Sequence, residues 1–486
     1  MNKKTITFVF CLASAPVLMA QNQPGGISSA MLKKIETSQK SSPAERALAN
    51  AFASNNIDDL ARNYADQDAF ESNNIEALAR KHAHQGAFNT YFSNETPKQS
   101  IQNQESSGRC WMFSGLNVLR ANFAKAHNDT LAVEYSHAYL FFYDQLEKAN
   151  LMLQAVIDNA KLPIEDAKVQ FFFKNPINDG GTFCGVADLA EKYGLVPKSV
   201  QPETYSSENT RTMAKLVSRK LREDGLELRK MVAEKKSSKA INDRKTEMLS
   251  TIYHLLTLTL GKPVETFTYA FTDKNGKVVG EPKQYTPRSF YDETVGKPLN
   301  GTFLMVMNDP RHPYYKTYEV KYDRHTYDGH NWTYLNLPMD EIAQLAIASI
   351  KDGHKMYSSY DVGKQLDRKR GYLDLDNYDY ASLTGVTYNM DKADRIRTFD
   401  SGSTHAMTLA AVDLDKQGKP VKWKVENSWG PSYGYQGYLI MTNRWFNEYL
   451  FRLVVDKKYA SEKILKAAEQ KPIMLMQDDP LFMEDE

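Results

Sequence analysis

The stretch that decides the fold is Gln104–Ser114, which reads QESSGRCWMFS. A cysteine attacks a carbonyl group only as a thiolate, and the N-terminus of a helix helps to stabilise that negative charge. Gly108 permits a tight turn into a helix that starts at Cys110, so we expect this thiol at the helix N-terminus, partly exposed. The side-chain amide of Gln104 can donate to a developing oxyanion beside the backbone N–H of Cys110. A small cysteine buried in a helix is the alternative interpretation, but Gln, Gly, Cys and Trp at these offsets favour a nucleophile.

A nucleophilic cysteine needs a general base, and His405 has the most suitable surroundings among the histidines. It lies at the start of an apolar strand in Ser403–Leu409, which reads STHAMTL. Further along the chain, Asn427 can accept a hydrogen bond from one imidazole nitrogen while the other nitrogen faces the thiol. Trp429 can shield that hydrogen bond from water, and a thiol paired with an imidazolium can have a pKa of about 3–4. His82 and His84 lie in a polar helix, where we expect them to be solvated. Four further histidines lie in loop-like or polar settings without an orienting partner in view, namely His312, His325, His330 and His354.

One order of residues resembles the papain superfamily of cysteine peptidases: Gln104, Cys110, His405 and Asn427. The local motifs resemble one branch of it, the bleomycin hydrolase or aminopeptidase C family. The similar motifs are Ser106–Trp111 (SSGRCW), Asn178–Gly181 (NDGG), Glu191–Pro197 (EKYGLVP), Thr404–Met407 (THAM) and Val425–Gly430 (VENSWG). Ordinary papain-like enzymes place the histidine about 130–150 residues after the cysteine. Here His405 follows Cys110 by 295 residues, which predicts large insertions.

Members of that family are aminopeptidases that assemble as homohexameric barrels, with active sites that face an internal chamber. The resemblance implies peptide substrates with a free N-terminus, and neither a metal nor an organic cofactor. It also implies a C-terminal arm in the cleft, whose last residue, Glu486, would receive the α-ammonium of the substrate. Gly180 and Gly181 would let the substrate backbone approach closely, although a plain turn is the alternative for these two glycines.

The end of the chain departs from the small, apolar ending that is usual in the family. Glu484, Asp485 and Glu486 are all acidic, so they either attract an α-ammonium or keep the arm out of the cleft as a solvated tail. In the second case we expect a papain-like endopeptidase with a disengaged tail. A binding or scaffold barrel with incidental activity is a further alternative, and the intact catalytic residues argue against it.

Helical patterns dominate the first part of the chain and β patterns the last, which favours an α+β fold. The resemblance makes this a two-lobed papain-like fold with large helical insertions and a C-terminal arm. The predicted segments are a signal peptide (1–20), an N-terminal leader and helical extension (21–95), a helical lobe with the nucleophile helix (96–205), an inserted helical segment (206–265), a mixed strand and helix insertion (266–400), a β-rich lobe with His405 and Asn427 (401–470) and the arm (471–486). The leader contains a duplication, AFASNNI at 51–57 and AFESNNI at 69–75, and each copy predicts a short helix after it.

Composition and charge place the chain among ordinary soluble globular proteins. Apolar residues make up 42% and charged residues 25% of the 486 residues, and the formal net charge is +1. A charge so close to neutral predicts no bulk attraction to nucleic acid or anionic membranes. The helical stretch 210–259 is rich in Lys and Arg, but interleaved acids favour a solvated, salt-bridged helix over a nucleic-acid site.

The N-terminus predicts a secretory signal. Lys3 and Lys4 precede a short apolar run, Thr5–Leu18, and Ala20 offers a small residue at a cleavage point before Gln21. We therefore expect a periplasmic or secreted protein without a membrane span in the mature chain. An uncleaved anchor or a lipoprotein is the alternative.

Cysteine usage leaves two thiols after this cleavage. Removal of the signal takes Cys11 with it and leaves Cys110 and Cys184. These are too few for a disulfide framework or a cysteine zinc site. One bridge between the two remaining cysteines is the alternative to a free catalytic thiol.

Overall fold

A computed structural model describes residues 74–81, 88–477 and 479–482. The predicted signal peptide, the first copy of the duplication and Glu486 lie outside these residues, as do His82 and His84. The helices are α1 (Ile75–Ala79), α2 (Cys110–Ala126), α3 (His137–Asp158), α4 (Ala167–Lys174), α5 (Phe183–Tyr193), α6 (Tyr205–Glu208), α7 (Arg211–Ala233), α8 (Ser238–Leu260), α9 (Pro287–Thr294), α10 (Leu299–Thr302), α11 (Met339–Lys351), α12 (Tyr380–Thr384), α13 (Lys392–Arg397), α14 (Asn443–Tyr449) and α15 (Glu462–Ala468). The strands are β1 (Asn94–Glu95), β2 (Phe267–Tyr269), β3 (Lys283–Tyr285), β4 (Phe303–Met307), β5 (Thr317–Val320), β6 (Thr333–Asn336), β7 (Met356–Tyr360), β8 (Leu366–Asp367), β9 (Tyr372–Leu373), β10 (His405–Leu414), β11 (Pro420–Glu426), β12 (Tyr438–Thr442), β13 (Leu450–Asp456) and β14 (Ile473–Leu475).

Twelve of the described strands form one mixed sheet. Its order is β14-β5-β6-β4-β13-β7-β10-β11-β12-β9-β8, and β1 also pairs with β10. Neighbours are antiparallel except for three parallel pairs, β5 with β14, β4 with β6 and β9 with β12. Strands from the predicted insertion 266–400 and from the predicted β-rich segment 401–470 therefore share one sheet. The segment boundaries themselves stay predictions.

The sheet has an apolar core on each face, because side chains alternate along a strand. Ala406 of β10 and Val454 of β13 face the core that contains α2, α3 and α5. Their neighbours Met407 and Leu453 face the other core, with α11 and α14. This alternation holds α2 against β10, so that the start of the helix and the start of the strand come together.

The charged helices α7 and α8 contain several ion pairs. Lys220 lies 2.9 Å from both Glu223 and Asp224, and Arg244 lies 2.7 Å from Glu227. The interleaved charges therefore form the ion pairs that the sequence predicted. No helix within the described ranges is long and apolar enough to cross a membrane.

A second compact unit contains α1 and α12. The Asn74 side chain caps α1 by accepting from the backbone N–H of Ala77 at 3.0 Å. Ala79, Tyr378 and Leu383 form a small apolar cluster between the two helices. The helix predicted after the second copy of the duplication is therefore present, with its asparagine cap.

Candidate active site

The helix that carries the candidate nucleophile begins at Cys110, where the sequence placed it. The turn before it is fixed by Asp179, whose carboxylate accepts from the backbone N–H of Gly108 at 2.7 Å. A Cβ atom at Gly108 would lie 2.4 Å from the same carboxylate, so glycine is required for this approach. Trp111 donates from its indole nitrogen to the backbone oxygen of Asp179 at 2.8 Å. Asp179 therefore fixes the start of α2 through hydrogen bonds with residues on both sides of Cys110.

The candidate base and its orienting amide meet at one edge of the sheet. Strand β10 begins at His405 and the antiparallel β11 ends one residue before Asn427. Nε2 of His405 lies 2.8 Å from Oδ1 of Asn427, which leaves Nδ1 available to the thiol. Both side chains are buried. The Trp429 ring stacks on the imidazole with a centroid distance of 4.6 Å, so it covers the hydrogen bond.

The packing of α2 on β10 brings the sulfur to the histidine strand. The backbone N–H of Ala406, the residue after His405, lies 3.4 Å from Sγ of Cys110. Cys110 and Cys184 are both free. The alternative of a disulfide between them is therefore wrong.

Burial sets the protonation of the two reacting groups. It raises the pKa of the Cys110 thiol to about 11, against the lowering effect of backbone N–H groups of Ala406 and Trp111. It lowers the pKa of His405 to about 4, although Asn427 acts in the opposite direction. The sequence led us to expect a thiol pKa of about 3–4, but that value requires an imidazolium as neighbour. Since each group alone favours its neutral form here, the two charges must arise together, by transfer of one proton from sulfur to imidazole.

Gln104 is held in place by the segment that follows Asn427. Its backbone N–H donates to the backbone oxygen of Ser428 at 2.8 Å, and its Oε1 accepts from the Ser428 hydroxyl at 2.6 Å. Its Nε2 donates to the backbone oxygen of Ser107 at 2.5 Å. An amide nitrogen has two protons, so one of them stays available for an oxyanion. Sequence reasoning missed Ser428, although it adjoins the orienting asparagine.

A cavity of about 480 Å³ contains most of the predicted site residues. Gln104, Cys110, Gly180, Gly181 and His405 all line it. Asn427 lies behind the histidine and does not line the cavity, as its orienting role requires. Glu486 lies outside the described residues, so its predicted contact with the substrate stays a prediction.

His325 packs against the loop that contains Gly180 and Gly181, called the glycine loop below. The prediction that this histidine lacks an orienting partner is wrong. It is buried, and its Nδ1 lies 2.5 Å from Oδ1 of Asp144. The backbone N–H of Thr182 donates to its Nε2 at 3.3 Å. The ring touches Trp111 at a centroid distance of 4.4 Å. A Cβ atom at Gly181 would lie 2.1 Å from Cε1 of His325. The loop can therefore take its position over the imidazole only with glycine.

Lys148 ties the same loop to α3. Its Nζ donates to the backbone oxygens of Gly180 at 2.6 Å and Asn178 at 3.0 Å, and it lies 3.1 Å from the Asp144 carboxylate. His330 and His354 also have partners, the Asp188 carboxylate at 2.7 Å and the Tyr459 hydroxyl at 2.5 Å. The absence of partners that the sequence suggested for these histidines is therefore wrong as well. These two hydrogen-bond partners are more than one hundred residues away in the sequence, so no local pattern predicts them. His354 also lies 3.3 Å from the carboxylate of Asp352, two residues earlier.

The segment after β14 forms part of the cavity wall. Pro480, Leu481 and Phe482 line the cavity together with Cys110. The Asp479 carboxylate pairs with Arg311 at 2.7 Å, and Leu481 is only 2% exposed. The parallel pairing of β14 with β5 anchors the beginning of this arm. The described part of the arm is therefore seated in the cleft and not free in solvent.

Comparisons with known proteins agree with this site. A model of the Peptidase C1-like family matches residues 44–482. Bleomycin hydrolase of Homo sapiens is 40% identical over 403 residues, which cover 80% of this chain and 88% of that protein. Aminopeptidase C of Streptococcus thermophilus is 38% identical over 392 residues, which cover 80% and 87%. The crystal structure of PepW from Lactobacillus rhamnosis matches with a TM-score of 0.84 and 34% identity, covering 94% of this chain and 99% of that one. The α+β, papain-like fold class is confirmed.

Proposed function

Because the chain belongs to the Peptidase C1-like family, we propose that it is a cysteine aminopeptidase that removes residues from the free N-terminus of peptides. The observation that carries the proposal is the arm. Leu481 and Phe482 line the cavity that also contains Cys110, so they occupy space that a longer peptide would need on the N-terminal side of its scissile bond. A peptide can then enter only by its end.

The geometry supports thiolate acyl transfer. Proton transfer to His405 leaves a thiolate on Cys110, which attacks the carbonyl carbon of the first residue. The resulting oxyanion accepts hydrogen bonds from the Gln104 amide and the backbone N–H of Cys110. The imidazolium then gives its proton to the leaving amine, and a thioester remains on Cys110. Water, deprotonated by His405, hydrolyses the thioester and restores the thiol.

The arm also accounts for the preference for a free amine. Beyond Phe482 the sequence continues with Glu484, Asp485 and Glu486. We propose that these carboxylates attract the α-ammonium of the substrate, because opposite charges attract and a fixed contact at the N-terminus positions the scissile bond. Acetylation of the substrate removes this positive charge and adds bulk where the arm lies.

Matched fluorogenic peptides with free and acetyl-capped N-termini test the proposal. We expect cleavage of the free peptides alone, with Cys110→Ser as the inactive control. A variant that ends at Pro480 keeps the Asp479–Arg311 ion pair and should cleave the capped peptides. Equal cleavage of both sets by the full chain would instead indicate an endopeptidase. Failure of a thiol-directed inhibitor to label Cys110 would indicate a binding or scaffold protein.

We further propose that the chain assembles as a homohexamer and is exported to the periplasm or secreted. The family resemblance supports the first proposal, and the N-terminal sequence supports the second. Light scattering should give a mass near six times that of one chain, which is 55.3 kDa before processing. A monomer or dimer would contradict the first proposal. Mass spectrometry of protein from the native host should find a chain that starts at Gln21, and an intact Met1 would contradict export with cleavage.

A further inference from the structure

The beginning of the arm contacts the loop that follows β4. Asn336 of β6 fixes this loop. Its Oδ1 accepts from the backbone N–H of Asp309 at 2.9 Å, and its Nδ2 donates to the backbone oxygens of Asp309 at 2.9 Å and His312 at 3.0 Å. Asn336 and Asp309 are both buried. The loop therefore has a defined position relative to the sheet.

Arg311 lies in this loop and joins two carboxylates. Its Nε and Nη2 lie 2.9 Å and 2.8 Å from the two carboxylate oxygens of Asp309, and such a bidentate pair fixes the plane of a guanidinium. The same Nη2 lies 2.7 Å from Oδ1 of Asp479 in the arm. Asp309, Arg311 and Asp479 together are called the latch below.

The charges of the latch are buried, unlike those of an ion pair on the surface of α8. The side chains of Asp309, Arg311 and Asp479 are 0%, 6% and 13% exposed, whereas those of Lys239 and Asp243 are 85% and 60% exposed. Water and salt screen a buried pair much less than an exposed one, and removal of one partner from a buried pair is correspondingly more costly. The contact of Arg311 with Asp479 should therefore have a larger effect than a surface ion pair.

His312 adds a second basic side chain beside the same carboxylates. Its Nε2 lies 3.8 Å from Asp309 and 3.9 Å from Asp479. Although burial acts in the opposite direction, His312 and Arg311 lower the pKa of Asp479 below its ordinary value. Asp479 is therefore a carboxylate at neutral pH, as an ion pair with Arg311 requires.

Asp479 also determines the conformation of the next residues of the arm. Its Oδ1 accepts from the backbone N–H of Leu481 at 3.0 Å, and its backbone oxygen accepts from the backbone N–H of Phe482 at 2.9 Å. These two hydrogen bonds close a turn. Leu481 and Phe482 line the cavity that contains Cys110. One carboxylate thus connects Arg311 with the part of the arm that lies in the cleft.

We propose that Arg311 is a positioning residue for the arm: its ion pair with Asp479 keeps Leu481 and Phe482 in the cleft and thereby sets the selectivity for free N-termini. This inference rests on the proposed aminopeptidase function. If the arm exchanges between a seated and a released position, a capped peptide can bind only when the arm is released. Its cleavage should then follow the released population, which loss of the latch increases.

Two measurements test the latch. The first is the selectivity ratio, defined as kcat/KM for an acetyl-capped fluorogenic peptide divided by kcat/KM for its free counterpart. The second is the rate at which chymotrypsin clips the chain after Leu481 or Phe482, followed by intact mass, which reports the position of the arm independently of catalysis. The variants are Asp479→Ala, Asp479→Asn and Arg311→Met, and their ratios are also measured in a chain that ends at Pro480. Asp243→Asn is the matched control, since its ion pair with Lys239 is exposed.

We expect Asp479→Ala to raise the selectivity ratio and the clipping rate about tenfold, which is about 1.4 kcal/mol. Arg311→Met should have a similar effect. Asp479→Asn retains an oxygen for the N–H of Leu481 but loses the charge, so it should raise both quantities about threefold. In the chain that ends at Pro480, each substitution should change the ratio by no more than about twofold, because the residues that the latch positions are gone. Asp243→Asn should leave both quantities unchanged.

Unchanged clipping in Asp479→Ala would overturn the latch. An effect of Asp479→Ala that Asp479→Asn does not share would also overturn it, since the turn and not Arg311 would then hold the arm. A ratio that Arg311→Met still raises in the chain ending at Pro480 would show that Arg311 acts on the substrate directly, which refutes the proposal. If Arg311→Met does not fold because Asp309 loses its counter-charge, the two Asp479 variants decide. Wild-type enzyme that cleaves capped and free peptides equally would contradict the aminopeptidase proposal alone, because the clipping rates still test the latch.

Discussion

Replacement of Gly181 by alanine should displace the loop that lines the cleft beside Cys110. The added Cβ would lie 2.1 Å from Cε1 of His325 and 2.9 Å from Cδ2 of Trp111. An ordinary contact begins at 3.4 Å, so the loop or the imidazole must move by about 1.3 Å (3.4 minus 2.1). The imidazole cannot yield easily, because Asp144 holds it by a 2.5 Å hydrogen bond. The loop should move instead.

A displacement of about 1 Å in a substrate-positioning element can cost about 10²-fold in rate. We therefore expect Gly181→Ala to lower kcat/KM about a hundredfold on free aminoacyl fluorogenic substrates, and to destabilise the fold by about 1–3 kcal/mol. His325→Ala removes the nearest obstruction but leaves Trp111 at 2.9 Å and takes away the acceptor of the Thr182 N–H, so the double variant should recover only part of the rate lost in Gly181→Ala. Steady-state kinetics of the four proteins, with unfolding curves at one protein concentration, measure both effects. Wild-type kcat/KM in Gly181→Ala, or a double variant no better than that single one, would refute the reasoning.

Three further predictions concern the remaining parts of the site and the fold. Gln104→Ala should lower kcat by about 10²–10³ with little change in KM, because the amide acts only on the oxyanion; an equal rise in KM would point to substrate binding instead. Asn427→Ala should lower kcat about 10²-fold, since the imidazole loses its 2.8 Å hydrogen bond, and an unaltered kcat would show that Trp429 alone orients the ring. Burial lowers the pKa of Lys392 from its ordinary 10.5 to about 7, so the folded state binds fewer protons than the unfolded state between these values. The free energy of unfolding should therefore rise with pH across this window, by about 1.4 kcal/mol per pH unit relative to Lys392→Met. Denaturation curves at pH 7.5, 8.5 and 9.5 measure this difference between the two proteins. A difference that does not change with pH would contradict the prediction.

The catalytic residues could be identified from the sequence because each is part of a local pattern. The turn at Gly108 predicts a helix that starts at Cys110, and α2 begins at that residue. His405 starts an apolar strand, and Asn427 follows another strand that pairs with it. Periodicity and residue type suffice for such elements, since their physical causes lie within a few residues of the chain.

His325 has a partner and a degree of burial that its sequence neighbours do not predict. Its sequence neighbours are polar, so it was expected in a polar setting without a partner. In the fold it is buried under Gly181 and held by Asp144, which lies 181 residues earlier in the sequence. The pKa of the Cys110 thiol could not be predicted from the sequence for the same reason. Burial by residues distant in the sequence affects this pKa more than the helix N-terminus does.

Local patterns along the chain are therefore sufficient to identify the side chain that attacks, the one that takes the proton and the amide that orients the base. The shape of the cleft, in contrast, follows from contacts that form only in the folded chain. The turn at Gly108 depends on Asp179, the loop of Gly180 and Gly181 depends on a buried imidazole, and residues of the arm line the same cavity as Cys110. These contacts join residues far apart in the chain, and their free energies depend on burial, which exists only once the chain has folded.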